Sequence, residues 1–367
     1  MINIKNFFYV LFIILALACN ATFAYVAREI NRINFSKMKD LIPGKTFAFD
    51  NFAMSFCGSN GNIFLLARDN KTKAIFWYII DPFQGKIIKT GECPFKGFSK
   101  VAVSPDGGFA AANTKFPAAL MLLDVKNNKW RILLKNTPGE GLSILSVSPI
   151  IFGDNSTLFS VLDKTDKERF FTDMFIVAFD VNTGAFTKMI SFKDLISLSI
   201  KALPEAPPEG TQYKIGTLRF SENGSFAYVV ETTNTIKKTS EDYLFTYNSS
   251  NEVNFIIKNT RVIPFDYRSG ISTILYFSGS KDENIIVLQK NDKKTIILKE
   301  IPVAGAIHEN GAVSLLIVNG RKAAVYMKMH SEMPVKVITF SNPYTIGFTE
   351  NANKLLAVSA EEIICYK

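Results

Sequence analysis

The sequence predicts an all-β chain folded as a single β-propeller. Three observations carry this: short apolar runs cut by turn residues, a hairpin motif that recurs, and a spacing between copies that suits a propeller blade. Seven four-stranded blades fit best, with six or eight as the alternatives, and an N-terminal strand is expected to close the ring.

After residue 45 the chain is a succession of Val-, Ile-, Phe- and Leu-rich runs broken by Gly, Asn, Asp, Ser or Pro. Val101 to Gly107 reads Val-Ala-Val-Ser-Pro-Asp-Gly, and Leu218 to Gly224 reads Leu-Arg-Phe-Ser-Glu-Asn-Gly. Each is a strand and a turn, and each is followed by a second apolar run. Anchors of this first hairpin fall at Gly58, Ser104, Ser148, Ser221, Ser278, His308 and Thr349, a mean spacing of about 48 residues. A second hairpin recurs between them, at Asp81 to Gly85, Asp124 to Asn128, Asp180 to Gly184 and Asn248 to Ser250. Two hairpins make a four-stranded sheet. Such a sheet cannot cover its own faces, so copies stack around an axis. Only three strands are legible after Ser341, and residues 45–50 are the expected source of the missing outer one. That strand removes an open edge.

The N-terminus has the pattern of an export signal. Asn6 is followed by an apolar run from Phe7 to Cys19, about 13 residues long, which suits a signal-peptide core and is short for a bilayer span. Cleavage is expected after Ala24 or before Cys19, where Ala16-Leu17-Ala18-Cys19 is similar to a lipobox with Ala and Leu in reverse order. An uncleaved anchor is the third option. The expected division is residues 1–24 as signal peptide, 25–44 as linker or short helix, and 45–367 as propeller. The expected location is the periplasm or the outer side of a membrane, with anchoring through the N-terminus.

The chain has 367 residues, 47% hydrophobic, with 32 Phe, which suits a large buried core. Its net charge of +9 comes from 42 basic residues scattered among 33 acidic ones, with no basic block. That pattern favours a soluble basic surface over nucleic-acid binding, with an anionic protein or peptide as the charged partner such a surface admits. Outside the leader, Cys57, Cys93 and Cys365 form neither a CxxC pair nor a zinc pattern, and are read as isolated thiols.

The Ser-Pro-Asp-Gly and Ser-Glu-Asn-Gly turns, with the Asp-x-x-x-Gly hairpins, resemble the repeats of exported bacterial propellers of the TolB and YVTN kinds, which are WD-repeat-like. The resemblance spans roughly residues 46–367 and implies the fold. It implies little about activity, because propellers host many.

No nucleophile elbow, phosphate loop or calcium loop is present, so no catalytic residue and no cofactor is expected. Met327, Met329, His330 and Met333 are the weak metal candidates, since thioethers and an imidazole suit Cu(I). Packing by the methionines is the simpler reading. Two long insertions, 163–173 and 192–214, and the loop 232–241 are expected on one face of the ring. Lys164, Lys167, Arg169, Phe170, Phe171, Lys237 and Lys238 make that face basic and aromatic.

The expectation that follows is a monomeric, non-enzymatic protein of the cell envelope that recognises a protein or peptide partner through this face. The alternatives are a lactonase-type hydrolase with a metal or water in the central channel, or a glycan or small-molecule binder. The residues expected to face the channel, Phe98, Ser99, Leu142, Gly216, Thr217 and Thr345, are mainly apolar or hydroxyl-bearing. Phe98 and Tyr344 are the aromatics a glycan would need.

Overall fold

The computed structural model describes residues 29–34, 52–56, 61–69, 72–136, 141–144, 148–165, 171–280, 283–300, 302–308, 312–319, 322–328, 335–341, 343–348, 355–359 and 362–366. Its strands fall into seven separate antiparallel sheets, in chain order. The first four sheets hold residues 52–92, 98–135, 141–191 and 211–259, and the next two hold 261–298 and 304–341. In the seventh, Pro343–Phe348, Leu355–Ser359 and Glu362–Tyr366 are completed by Glu29–Asn34. Between most neighbouring sheets the first strands run against one another, as around the axis of a propeller.

Middle strands are apolar on both faces because each sheet is covered on both sides. Phe226 to Val230, in the second strand of the fourth sheet, are all buried. Burial of a side chain of that size contributes about 1.5–3 kcal/mol. The core is therefore a set of layers between sheets. Phe64, Trp77, Ala112 and Met121 pack between the first and second, and Phe159, Phe220, Tyr228 and Phe245 between the third and fourth.

The turns form as their residues dictate. The Ser104 hydroxyl donates to Asp106 at 2.7 Å and accepts from the Phe109 N–H at 2.9 Å, while Gly107 takes a φ of 76°. Asn223 and Gly224 adopt φ of 61° and 79° in the matching turn of the fourth sheet. In the second hairpins Asp81, Asp124, Asp180 and Asn248 each accept main-chain N–H bonds from residues two to four positions on.

Three expectations are corrected. The closing strand is Glu29–Asn34, so the propeller begins inside the segment read as linker or helix; residues 45–50 lie outside the described residues. A register shift between Glu29 and Asn31 breaks the two-residue alternation that marks a strand. Ser278 is not a first-hairpin turn: it lies in Thr273–Gly279, the second strand of the fifth sheet, and the turn is formed by Ser269–Ile271. Third, the insertion after Ser191 contains a helix, α1 (Phe192–Ala202), capped by Ser191, whose hydroxyl accepts the Asp194 N–H at 3.0 Å.

Cys93 and Cys365 are buried and in no disulfide, the Cys365 thiol lying 3.1 Å from the Pro82 carbonyl oxygen, and Cys57 lies outside the described residues. Burial, with the Glu92 charge beside it, pushes the Cys93 thiol far above its ordinary pKa, which makes it inert. No helix among the described residues is long and apolar enough to cross a membrane.

Candidate functional site

Between the third and fourth sheets the inner wall opens. First strands touch between sheets one and two, two and three, four and five, five and six, and six and seven. At the third sheet the inner strand is split into Gly141–Ile144 and Ile150–Phe152, both paired to Thr157–Thr165. In the fourth, Thr211–Phe220 carries an irregularity between Ile215 and Leu218. These two departures from regular pairing leave a cleft of about 460 Å³.

Its floor and walls divide by chemistry. Val161, Met174, Phe192 and Ile215 supply an apolar side, and Lys100, Ser148, Thr217 and Arg219 supply polar groups. Helix α1 brings Phe192 to the rim and is itself pinned to the fourth sheet, where the Ser199 hydroxyl meets the Tyr228 hydroxyl at 2.7 Å. Desolvation pushes the Tyr228 pKa up, so it stays a neutral phenol.

The segment 148–150 is fixed from behind. The Asn113 amide donates to the Ser148 carbonyl at 3.0 Å, and the Ser160 hydroxyl donates to the Pro149 carbonyl at 3.0 Å. Among the described residues the Lys100 ammonium makes no ion pair, and the Ser148 and Thr217 hydroxyls make no hydrogen bond. Arg219 is exposed to solvent at the cleft. Desolvation lowers its pKa, with the Asp266 carboxylate acting the other way. Asp266 in turn accepts the Ile307 N–H at 2.7 Å and lies 3.5 Å from the Arg268 guanidinium. Asp266 therefore acts on Arg219 through its charge alone while it is bonded to Ile307 and Arg268, and the Arg219 guanidinium donates to the Leu218 carbonyl at 3.2 Å.

The sequence reading put Gly216 and Thr217 on this wall, where they are, and missed the cations. First strands carry register shifts between Phe98 and Lys100, Ile215 and Leu218, and Pro264 and Asp266. At such a shift successive residues come to line one wall, as Ile215 to Arg219 do here, so strict alternation does not find the full set. Phe98 packs against the core between the first two sheets, and Leu142 against the core between the second and third.

Of the residues expected to form a basic face, Lys164, Lys237 and Lys238 are exposed at the ends of second strands. Phe171 begins the third strand of the third sheet. Lys167, Arg169 and Phe170 lie outside the described residues. Connections between second and third strands, and between successive sheets, emerge on this same face. The turn 235–238 rests on the end of the Pro-rich segment, with the Thr235 N–H on the Gly210 carbonyl at 3.3 Å. Met327 lies in the third strand of the sixth sheet, and Met329, His330 and Met333 lie outside the described residues. Among the described residues no group of three His, Cys, Asp or Glu is placed to hold a metal.

No protein-family model and no curated protein matches this chain. Solved structures do. The β-propeller domain of the trilobed protease from Pyrococcus furiosus superposes with a TM-score of 0.55 at 11% identity, over 86% of this chain and 92% of that one. The fold is a β-propeller. Two structures of Pyrococcus horikoshii acylaminoacyl peptidase give TM-scores of 0.55 and 0.57 at 12% identity, over 86% and 88% of this chain. The chain spans about half of the acylaminoacyl peptidase, 50% and 52% in the two structures. The trilobed protease propeller is described as having an open velcro topology. Here the N-terminal strand Glu29–Asn34 joins the sheet of the last three strands.

These likenesses correct the expected function. The propellers named belong to a protease and a peptidase, which runs against the expected non-enzymatic envelope binder working through a basic face.

Proposed function

We propose that this chain is a peptidase-associated β-propeller whose part in peptide hydrolysis is to admit peptides to its axis and hold them at the cleft between the third and fourth sheets. The observation that carries the reading is the pairing of this fold with that cleft. The solved propellers it resembles are parts of a protease and a peptidase. The cleft also offers an apolar side and unengaged polar groups, the mixture a peptide segment presents.

An exported location of the TolB or YVTN kind is part of the proposal. It is supported by the apolar run from Phe7 to Cys19 and by the Ser-Pro-Asp-Gly and Ser-Glu-Asn-Gly turns.

The test is depletion of the chain from an envelope extract with a specific antibody. A peptide-hydrolysing activity that leaves with the chain, together with retention of tetra- to octapeptides by the purified protein in native mass spectrometry, is expected. An extract whose peptidase activities are all unchanged, or a protein that retains no peptide, overturns the reading.

A further inference from the structure

We infer that the cleft takes a peptide carboxylate at Lys100 and Arg219, with the adjoining apolar side chain of the peptide seated against Met174, Phe192 and Ile215. The inference rests on the peptidase-associated reading and adds the chemical class that the site selects.

The cations come from different sheets, Lys100 from the first strand of the second and Arg219 from the first strand of the fourth. Convergence of like charges on one cleft costs free energy in the empty protein, and an anion there relieves it. Asp266 does not satisfy that demand, because it is already engaged by the Ile307 N–H and by Arg268. A guanidinium matches a carboxylate with two parallel N–H bonds, a geometry that an ammonium cannot offer. The Ser148 and Thr217 hydroxyls stand on the same wall as further donors.

The apolar side gives the second half of the specificity. Met174 and Phe192 are half-buried and Ile215 is buried, so each has surface that a ligand side chain covers. A free phosphate or a sugar acid would satisfy the cations and leave this side wet. A peptide ending in Leu or Phe satisfies both. The carboxylate has two sources in a peptide, the C-terminus and an Asp or Glu side chain.

The experiment uses fluorescence polarisation with three N-terminally labelled hexapeptides: one ending in Leu as the free acid, its C-terminal amide, and an amide with an internal Glu before Leu. Wild-type protein is expected to bind the free acid at least about tenfold more tightly than the plain amide. Arg219→Gln and Lys100→Gln are each expected to weaken the free acid about tenfold and leave the plain amide unchanged, with Arg219→Lys recovering part of the loss. Circular dichroism and thermal melts establish that the variants fold. Recovery of affinity by the Glu-containing amide assigns the carboxylate to a side chain, and failure to recover assigns it to the C-terminus; both support the site. Equal binding of free acid and plain amide, or variants that bind the free acid as wild type does, overturns it while leaving the peptidase-associated reading standing. Absence of any peptide binding to wild type overturns that reading, and this inference with it.

Discussion

The amide of Asn113, in the second sheet, donates to the carbonyl of Ser148, in the third, at 3.0 Å, and Asn113 is 1% exposed. This bond crosses a sheet boundary and fixes the backbone that forms one wall of the cleft. Removing the donor leaves a buried carbonyl unsatisfied, so Asn113→Ala is expected to cost about 1–3 kcal/mol. Asn113→Asp is expected to cost more at pH 7, because it buries a carboxylate that cannot donate, and to regain stability as the pH falls and the carboxyl protonates. Urea unfolding at pH 7 and pH 5 checks both. An aspartate variant whose stability is the same at the two pH values contradicts the account.

Two glycines separate backbone strain from side-chain crowding. Gly210 has a φ of 76°, and an added Cβ would stand 2.8 Å from Ile236 Cδ1. Gly210→Ala is expected to destabilise by about 1–2 kcal/mol. Gly216 lies beneath the Glu231 side chain, where an added Cβ would stand 2.8 Å from Cδ. Glu231 is an exposed carboxylate paired to Lys214 at 3.6 Å, and it can swing away. Gly216→Ala is therefore expected to cost less than about 1 kcal/mol. Denaturation midpoints that rank the two the other way would show the argument to be wrong.

Ring closure is testable at Asn31. Its amide donates to the carbonyls of Pro82 at 2.9 Å and Phe83 at 3.0 Å, tying the seventh sheet to the first. Asn31→Ala is expected to lower stability by about 1–3 kcal/mol and to speed amide exchange in residues 29–34 and 355–366 before any other region. Uniform loss of protection across all sheets would mean that the closing strand is not the weak point.

Acid sensitivity has a defined sign. Main-chain N–H bonds, from Asn127 to Asp124 and from Thr183 to Asp180, hold both carboxyls below their ordinary pKa. Their stabilisation is present above the unfolded value of about 3.9 and is lost as pH falls through the lower folded values. Asp242 behaves oppositely. Desolvation raises its pKa although it accepts the Val262 N–H, so its contribution is favourable below the unfolded value and declines as pH rises through the folded one. Asp180→Asn is expected to flatten the acid limb of the stability profile. Asp242→Asn is expected to be neutral or stabilising at pH 7. A strongly destabilised Asp242→Asn contradicts this.

The repeat was legible because its carriers are local. Ser104, Asp106 and Gly107, or Asp180 and Gly184, each fold their own turn by bonds within a few residues. The second hairpins at Asp81, Asp124, Asp180 and Asn248 all lie where the sequence puts them. What depends on one added residue was not legible. The shift in Glu29–Asn34 disguised the closing strand, and the shift between Ile215 and Leu218 brings five successive residues, Ile215 to Arg219, to the cleft, which strict alternation does not predict. Helix α1 had a readable signal, Ser191 three residues before Asp194 and ahead of an apolar run, which a search for strands passes over.

The most direct measurement of the central claim, that peptides lodge on the channel wall between the third and fourth sheets, is photo-crosslinking. A hexapeptide carrying a benzophenone beside its last residue is bound to the wild-type protein, irradiated, and the adducts are mapped by mass spectrometry. The account predicts adducts on Met174, Phe192 or residues 215–219, suppressed by excess unlabelled peptide. Adducts confined to the turns 115–118 and 235–238, none of whose residues lines this cleft, would contradict it.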